Sequence, residues 1–420
     1  MRVLYILPRY DRTAIANQIH TEIIYTWRSF GIEAEILSFS SQYRSPLRSV
    51  EDGVVVHRWP SSGSLPKRIA NRLLYALFPY PFLFSLIEGM HRLLTAVAPF
   101  DLCHVETAFP LGWAAVLAGR HMPPLAITLP GADVMSEPKF DYGYARFRSV
   151  RVILPKVFQQ ALVIRADSPM IRDRAIHLGA PAFKVKAIPY NITNSSLPPP
   201  DVPIDSFRSH CREMVVKRHQ LTPDQPIVIS LNRLHPFKGI VYLVEALPTV
   251  RAAGLRPQVL IIGPNRVTPT FGDYAAFLRR RAVELGVADQ VMLIGAIPQE
   301  EAIKYLAAAD VAVVPSVAEA FSRVVIEACA VGTPPVVTST TGASVYVAAA
   351  QAGIVVEPCS GQAIGEAIIR LLRDSATWQT FSAHGVMLAP KFTSTQVATE
   401  LAHLYYAALR GDYKSDSVLF

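Results

Sequence analysis

Short, continuously apolar β-type runs alternate with longer helical patterns from one end of this chain to the other, in two separate series. The first series has runs at 3–7, 33–37, 54–57, 102–105, 126–128, 162–166 and 185–188. The second has them at 227–231, 259–262, 291–294, 311–315, 335–338 and 354–357. A strand that is apolar at nearly every position must be covered on both faces, which is the condition of a parallel sheet flanked by helices. The pattern therefore predicts α/β architecture, and 420 residues are enough for two or three domains. Pro198, Pro199, Pro200 and Pro203 crowd the stretch 194–205, where they can neither continue a helix nor sit in a central strand. The organisation expected is an N-terminal Rossmann-like domain at 1–195 and a Pro-rich linker at 196–205. A C-terminal Rossmann-like domain follows at 206–390. The helix and tail at 391–420 carry Val397, Leu401, Leu404 and Tyr405 on one face, which is free to pack back on the first domain.

Composition removes several classes. Hydrophobic residues make up 51% and charged residues 18%, which excludes a disordered or coiled-coil protein. The net charge of +8 is uneven: residues 1–200 hold 22 basic and 14 acidic side chains, residues 201–420 hold 19 of each. A basic first half suggests an anionic partner such as a membrane leaflet, nucleic acid or a phosphorylated substrate. Nucleic acid is disfavoured because the basic residues lack the interleaved motifs of its readers. Cys103, Cys211, Cys329 and Cys359 lie far apart without metal-ligand spacing, so neither a disulfide framework nor a zinc site is expected and a reducing cytoplasm fits. The apolar run at 3–7 is too short for a signal peptide and reads as a first strand.

The longest uncharged stretch, 73–87, is interrupted by Pro79 and Pro81 and falls short of the roughly 18 to 20 residues that span a bilayer. Lys67, Arg68 and Arg72 precede it, and it carries Phe78, Tyr80, Phe82 and Phe84. An interfacial patch for an anionic membrane surface along 67–87 and a broken core helix both fit these letters. A cytoplasmic protein, peripheral at the inner face of the membrane, is the corresponding location.

Two segments could carry chemistry. In the first, Glu319-Ala320-Phe321-Ser322-Arg323 leads from a strand into a helix that reaches Glu327. Backbone N–H groups near 321–324 would be free at the helix start and suited to a phosphate. In the second, Asn232-Arg233-Leu234-His235-Pro236-Phe237-Lys238-Gly239 offers the planar fork of Arg233 and the compact charge of Lys238 on a loop entering a helix, a pair suited to a pyrophosphate. An ordinary helix-start carboxylate and plain surface cations are the bland alternatives. No Walker-type loop and no G-x-G-x-x-G follows any of the runs.

Arg233 with Lys238-Gly239, the run ending at Gly263, the run ending at Gly295, Ala309-Asp310-Val311 with Pro315-Ser316, Glu319 and Glu327-Ala328, and Gly332-Thr333-Pro334 form an ordered set. In that order they resemble the donor-binding half of the retaining glycosyltransferases of family 4, over most of 225–375. The resemblance implies the GT-B fold, two Rossmann-like domains with parallel sheets facing across a cleft. It also implies transfer of a hexosyl or related group from a UDP- or GDP-linked sugar. Arg233 and Lys238 would neutralise the pyrophosphate, and Glu327 would accept hydrogen bonds from the ribose. Glu319, with the backbone at Phe321 and Ser322, would contact the donor sugar and its phosphate. Asn232, Gly263 and Arg323 complete the expected donor site, with Arg233, Lys238 and Glu319 as its catalytic residues. No Asp-x-Asp motif is present, so neither a metal nor another cofactor is expected.

The first half departs from the family pattern. No glycine occurs before Gly31, and Thr128-Leu129-Pro130-Gly131-Ala132-Asp133 stands at the usual His-Gly-x-Asp stretch with Pro130 in the histidine's place. Arg9, Arg12, His104 and Asp133 are the candidate acceptor-side residues, with a satisfied core histidine as the alternative reading of His104. The function expected is retaining transfer to a glycan or lipid-linked acceptor in polysaccharide or glycolipid biosynthesis. A non-catalytic nucleotide-sugar-binding subunit of the same fold and a nucleotide-sugar epimerase are the alternatives.

Overall fold

The computed structural model describes residues 1–11, 15–62, 64–77, 81–97 and 99–412. Internal contacts divide the chain into two compact units, residues 1–190 joined by the segment from Ser394 onward, and residues 191–393.

The first unit is built on β1 (Arg2–Leu7), β2 (Glu33–Ser40), β3 (Leu47–Glu51), β4 (Val54–Pro60), β5 (Leu102–Glu106), β6 (Leu125–Leu129), β7 (Val163–Ala166) and β8 (Val185–Ala187). Their order is β3-β4-β2-β1-β5-β6-β7-β8, and every pairing is parallel except β3 with β4. All five residues of β5, β6 and the C-terminal part of β1 are buried, as their unbroken apolar character requires. The alternation missed β3, because an edge strand half open to water need not be apolar: Leu47, Arg48 and Val50 are exposed. Its signal was the Asp52-Gly53 turn, where both residues have positive φ (48° and 75°) and close a two-residue hairpin.

The second unit contains β9 (Ile227–Leu231), β10 (Gln258–Ile262), β11 (Val291–Gly295), β12 (Val311–Val314), β13 (Pro335–Thr338) and β14 (Ile354–Val356). They form one parallel sheet in the order β11-β10-β9-β12-β13-β14. The strand order reverses between β9 and β12 here, and between β1 and β5 in the first unit. Ligand crevices open at such reversals, beyond the carboxyl ends of the strands.

The boundaries differ from those expected. The proline-rich stretch is part of the second unit, not a free linker. The Ile192 amide donates to the Phe392 carbonyl (2.8 Å), and the Ser196 hydroxyl donates to Glu327 (2.9 Å). Arg208, on the helix Ile204–His219, donates to the carbonyls of Ala309 and Val331 (2.8 and 2.9 Å). Proline forbids regular pairing, but it does not forbid packing. The helix Ser394–Arg410 belongs to the first unit, against the helix Ile15–Trp27. There the Trp27 indole donates to the Ala398 carbonyl (3.0 Å) and the Tyr406 hydroxyl to that of Phe30 (2.9 Å). Val397, Leu401 and Tyr405 are buried in one cluster with Val3, Tyr5 and Trp27. The stretch 73–87 spans the end of the helix Leu65–Leu77 and the start of the helix Phe84–Ala96, with Phe78 and Tyr80 outside the described residues. Among the described residues no helix is long and apolar enough to cross a membrane.

Because Leu401 is fully buried where the returning helix completes the first unit's core, Leu401→Ala should destabilise that unit by about 2–5 kcal/mol. Urea denaturation read by tryptophan fluorescence, three of whose four sources (Trp27, Trp59, Trp113) lie in this unit, measures this; an unchanged midpoint would mean that the helix adds nothing to the core.

Candidate functional site

At the β9/β12 reversal, two glycines let backbones approach more closely than any side chain allows. A Cβ on Gly263 (φ +148°) would lie 1.9 Å from the Asn232 carbonyl oxygen, and one on Gly239 (φ +63°) 1.9 Å from that of Pro315. The Asn232 amide donates to the Ile262 carbonyl (2.9 Å), that of Leu234 to Pro264 (3.0 Å) and that of Val317 to Phe237 (2.8 Å), so the loops after β9, β10 and β12 are sewn together. The chain after β9 makes one tight turn, Pro236–Lys238, before the helix Ile240–Ala252. That turn delivers Lys238 to the loop of Glu319, with which it forms a largely buried ion pair.

Glu319 is itself fixed by its backbone. Its amide donates to Thr340 (3.2 Å), and its carbonyl accepts from Gly342 (3.0 Å). The Phe237 ring centroid is 5.0 Å from the Lys238 ammonium and 5.9 Å from the Arg233 guanidinium carbon. Arg233 is exposed and has no carboxylate partner among the described residues. The helix Arg323–Ala330 begins after Ser322, whose φ of 76° is unusual for a serine and whose side chain makes no capping bond, so the first N–H groups of the helix are left without that partner. Arg323 has a buried guanidinium nitrogen without a partner.

The structure thus brings Arg233, Lys238, Glu319, Asn232 and Gly263 together, with Ser322 and Arg323 at the helix start after β12. The Phe321 ring is buried against Tyr346 and Phe392, with centroids 6.1 and 5.7 Å away, which leaves its backbone, the part assigned from sequence, to face a ligand. Glu327 is only 2% exposed, with one oxygen accepting from Ser196.

At the β1/β5 reversal the first unit has a pocket of about 440 Å³ whose lining includes Arg9, Asn17, His20, Glu106, Thr107, Pro130 and Tyr190. Glu106, the last residue of β5, accepts hydrogen bonds from the hydroxyls of Tyr5 (2.6 Å) and Tyr190, and the Tyr5 hydroxyl also meets His20 Nδ1 (2.8 Å). Burial opposes ionisation of Glu106, yet His20, His104 and Arg165 hold its carboxyl well below the usual carboxylate range. Burial and the nearby Glu106 charge push the hydroxyls of Tyr5 and Tyr190 well above the ordinary tyrosine value, so they remain donors. Sequence reasoning passed over Glu106 because it ended the strand at residue 105, while His20 and Tyr190 join it only through contacts distant in sequence. The period-2 relation of His104 to Glu106 was the available signal.

Of the acceptor-side candidates, His104 and Asp133 turn inward. His104 is fully buried, with Nε2 on the Thr128 hydroxyl (2.7 Å) and Nδ1 on that of Tyr405 (2.6 Å); it ties the sheet to the returning helix and offers no nitrogen to an acceptor. Burial lowers its pKa. Asp133 is also fully buried: Oδ2 accepts from the Ala108 amide (2.7 Å), so it braces the loop after β5 instead of reaching a ligand, while Oδ1 has no partner. Arg9 is exposed, 3.9 Å from Asp11, and Arg12 lies outside the described residues.

Burial pushes the Asp133 carboxyl up to about 7. The folded state therefore prefers the neutral acid, and stability present below pH ~4 is lost as the pH rises towards 7. Asp133→Asn keeps an oxygen for the Ala108 amide without that penalty. Its melting temperature should exceed the parent's by a few degrees at pH 8, with the gap closing towards pH 4; a gap independent of pH would contradict the assignment.

Residues 16–191 match the family described as Glycosyl transferase 4-like domain, and residues 212–385 match Glycosyl transferases group 1. A D-inositol 3-phosphate glycosyltransferase of Segniliparus rotundus is 28% identical over 258 residues, 61% of this chain and 56% of the relative. The Corynebacterium glutamicum protein of that name is 31% identical over 44% of each chain, so these matches span about half the relatives' length. In the Jonesia denitrificans protein of the same name, 25% identity extends over 89% of this chain and 87% of the relative. Among solved structures, sucrose-phosphate synthase from Thermosynechococcus elongatus aligns over 98% of this chain and 99% of its own with a TM-score of 0.73 at 20% identity. Anabaena HepE in complex with UDP and glucose aligns over 97% and 100% with a TM-score of 0.69 at 19% identity. With both units matched by glycosyltransferase families and the same fold followed along nearly the whole chain, the protein belongs to the group 1 glycosyltransferases and has the GT-B fold.

Proposed function

We propose that this chain moves a sugar, with retention of anomeric configuration, from a nucleotide diphosphosugar bound by residues 191–393 to a glycan or lipid-linked acceptor bound by residues 1–190. The reaction would serve polysaccharide or glycolipid assembly. The observation that carries this reading is the Lys238–Glu319 pair with Arg233 beside it at the β9/β12 reversal. As the glycosidic bond breaks, negative charge develops on the departing diphosphate, and cations fixed in a partly dry site stabilise it most. Arg233 and Lys238 fill that role without a metal. Arg323 and the N–H groups at its helix start add positive potential. The diphosphate competes with Glu319 for Lys238, which leaves the Glu319 carboxylate available to sugar hydroxyls, and Glu327 takes the ribose. A departing phosphate oxygen receives the acceptor's proton during front-face attack. Anabaena HepE was crystallised with UDP and glucose, and several relatives are named for a phosphorylated acceptor, inositol 3-phosphate; both support the reading.

A thermal-shift panel of UDP, GDP and ADP tests the donor site. One of them should raise the melting temperature by mass action, and Arg233→Ala, an exposed substitution, should weaken that ligand about tenfold or more, as expected for a charge-assisted bond worth about 1.5–3 kcal/mol. No shift with any nucleotide would overturn the assignment.

Membrane association is part of the proposal. Arg68, Ile69, Arg72 and Leu73 are exposed on the helix Leu65–Leu77, so cations and apolar side chains share a surface. Flotation with anionic liposomes should recover the protein and lose it when Arg68 and Arg72 are changed to Glu; equal recovery would remove the membrane from the proposal.

A further inference from the structure

We infer that two adjoining pockets of residues 1–190 take one amphipathic acceptor, a sugar-bearing head in the first and the apolar stem of a lipid phosphate in the second. The inference rests on the reading that residues 1–190 hold the acceptor, and it selects lipid-linked over soluble acceptors. The first pocket is the polar one around Glu106, His20 and Thr107. The second, about 310 Å³, is lined by Phe39, Leu83, Phe84, Leu86 and Leu111, with Lys67 and Arg68 also on its wall. Both volumes fall within the roughly 300–1,000 Å³ of small-molecule sites. The pockets share Pro8, and one loop walls both, with Thr107 in the first and Pro110 and Leu111 in the second.

Together the two pockets offer the three kinds of contact an amphiphile needs. In the polar pocket Glu106 and His20 can bond hydroxyl groups, and the buried Thr107 hydroxyl has no partner of its own. Cations stand at the second pocket. Lys67 is neutralised by Glu88, which Arg92 also meets, but Arg68 is exposed and has no acidic partner among the described residues. The same pocket is otherwise lined largely by phenylalanine and leucine. Residues at positive φ flank the pockets, Thr107 at 102° and Leu83 at 53°, conformations disfavoured for branched or bulky side chains. A soluble sugar would use the first pocket alone, bare phosphate only Arg68, and an alcohol of the same lipid only the second. A lipid phosphate bearing a sugar uses all three.

Farnesyl phosphate, below its micelle concentration, probes the second pocket and its cation without any donor. Calorimetry should show it binding at least tenfold more tightly than farnesol or inorganic phosphate. Arg68→Glu should weaken it about tenfold. Ser62→Trp, at an exposed position of the pocket lining, should abolish binding by filling the space, while leaving the nucleotide-induced thermal shift in place. Equal affinity for farnesol and farnesyl phosphate, or indifference to Ser62→Trp, would overturn the inference. Loss of the nucleotide shift in the parent protein would instead strike the donor-site reading, which the farnesyl arms do not touch.

Discussion

The reversal of strand order is the constraint on which the chemistry of both units depends. On either side of a reversal the crossovers pass to opposite faces of the sheet, so the loops at the carboxyl ends diverge and leave a crevice. Lys238 and Glu319 stand at the β9/β12 reversal, and Glu106 with His20 stands at β1/β5. The local backbone follows from that crowding. Gly239 and Gly263 occur where neighbouring carbonyls come within 1.9 Å of a would-be Cβ. In the first unit the corresponding bend falls on Thr107, which holds φ at 102° despite its branched side chain.

The two crevices solve opposite electrostatic problems. In the second unit, Lys238 would be a buried cation without a partner if Glu319 were absent. Removing one member of such a pair costs about 3–5 kcal/mol because the remaining charge is left desolvated. Glu319 therefore supplies the counter-charge that Lys238 needs at its buried position. In the first unit the buried charge is the carboxylate of Glu106, and the hydroxyls of Tyr5 and Tyr190 surround it with His20, His104 and Arg165. The excess of basic side chains in residues 1–200 is spread over other positions, among them the exposed Arg68 and Arg72.

Thirteen of the fourteen strands among the described residues were legible as apolar runs, most clearly the central ones, where burial on both faces leaves no alternation to misread. What stayed illegible depended on contacts distant in sequence. His104 cannot be told from a ligand-facing histidine until Tyr405, from the returning helix, occupies its Nδ1. Asp133 is a free acid in sequence and a brace once Ala108 lies against it. The prolines at 198–203 say where regular structure stops, but the hydrogen bonds of Ile192 and Ser196 decide which unit holds the segment. In the donor half, Lys238 and Glu319 are 81 positions apart, and only the ordered family pattern linked them before the fold did.

The departure at Pro130 gains a physical meaning from these placements. The motif it interrupts has two kinds of residue: those that shape the loop after β6 and one that presents a hydrogen-bonding ring. The shaping residues remain, since Gly131 holds φ at 105° and Asp133 fixes the Ala108 amide. The ring is gone, and proline presents no donor in its place. The polar groups around that pocket come instead from the end of β5, the helix Ile15–Trp27 and the residue Tyr190 after β8, where Tyr5 links His20 to Glu106 and Glu106 also accepts from Tyr190. The scaffold of the motif is thus separable from its chemistry. In this chain the hydrogen-bonding capacity of the crevice sits on other elements, Glu106 among them, next to the loop that also lines the apolar pocket.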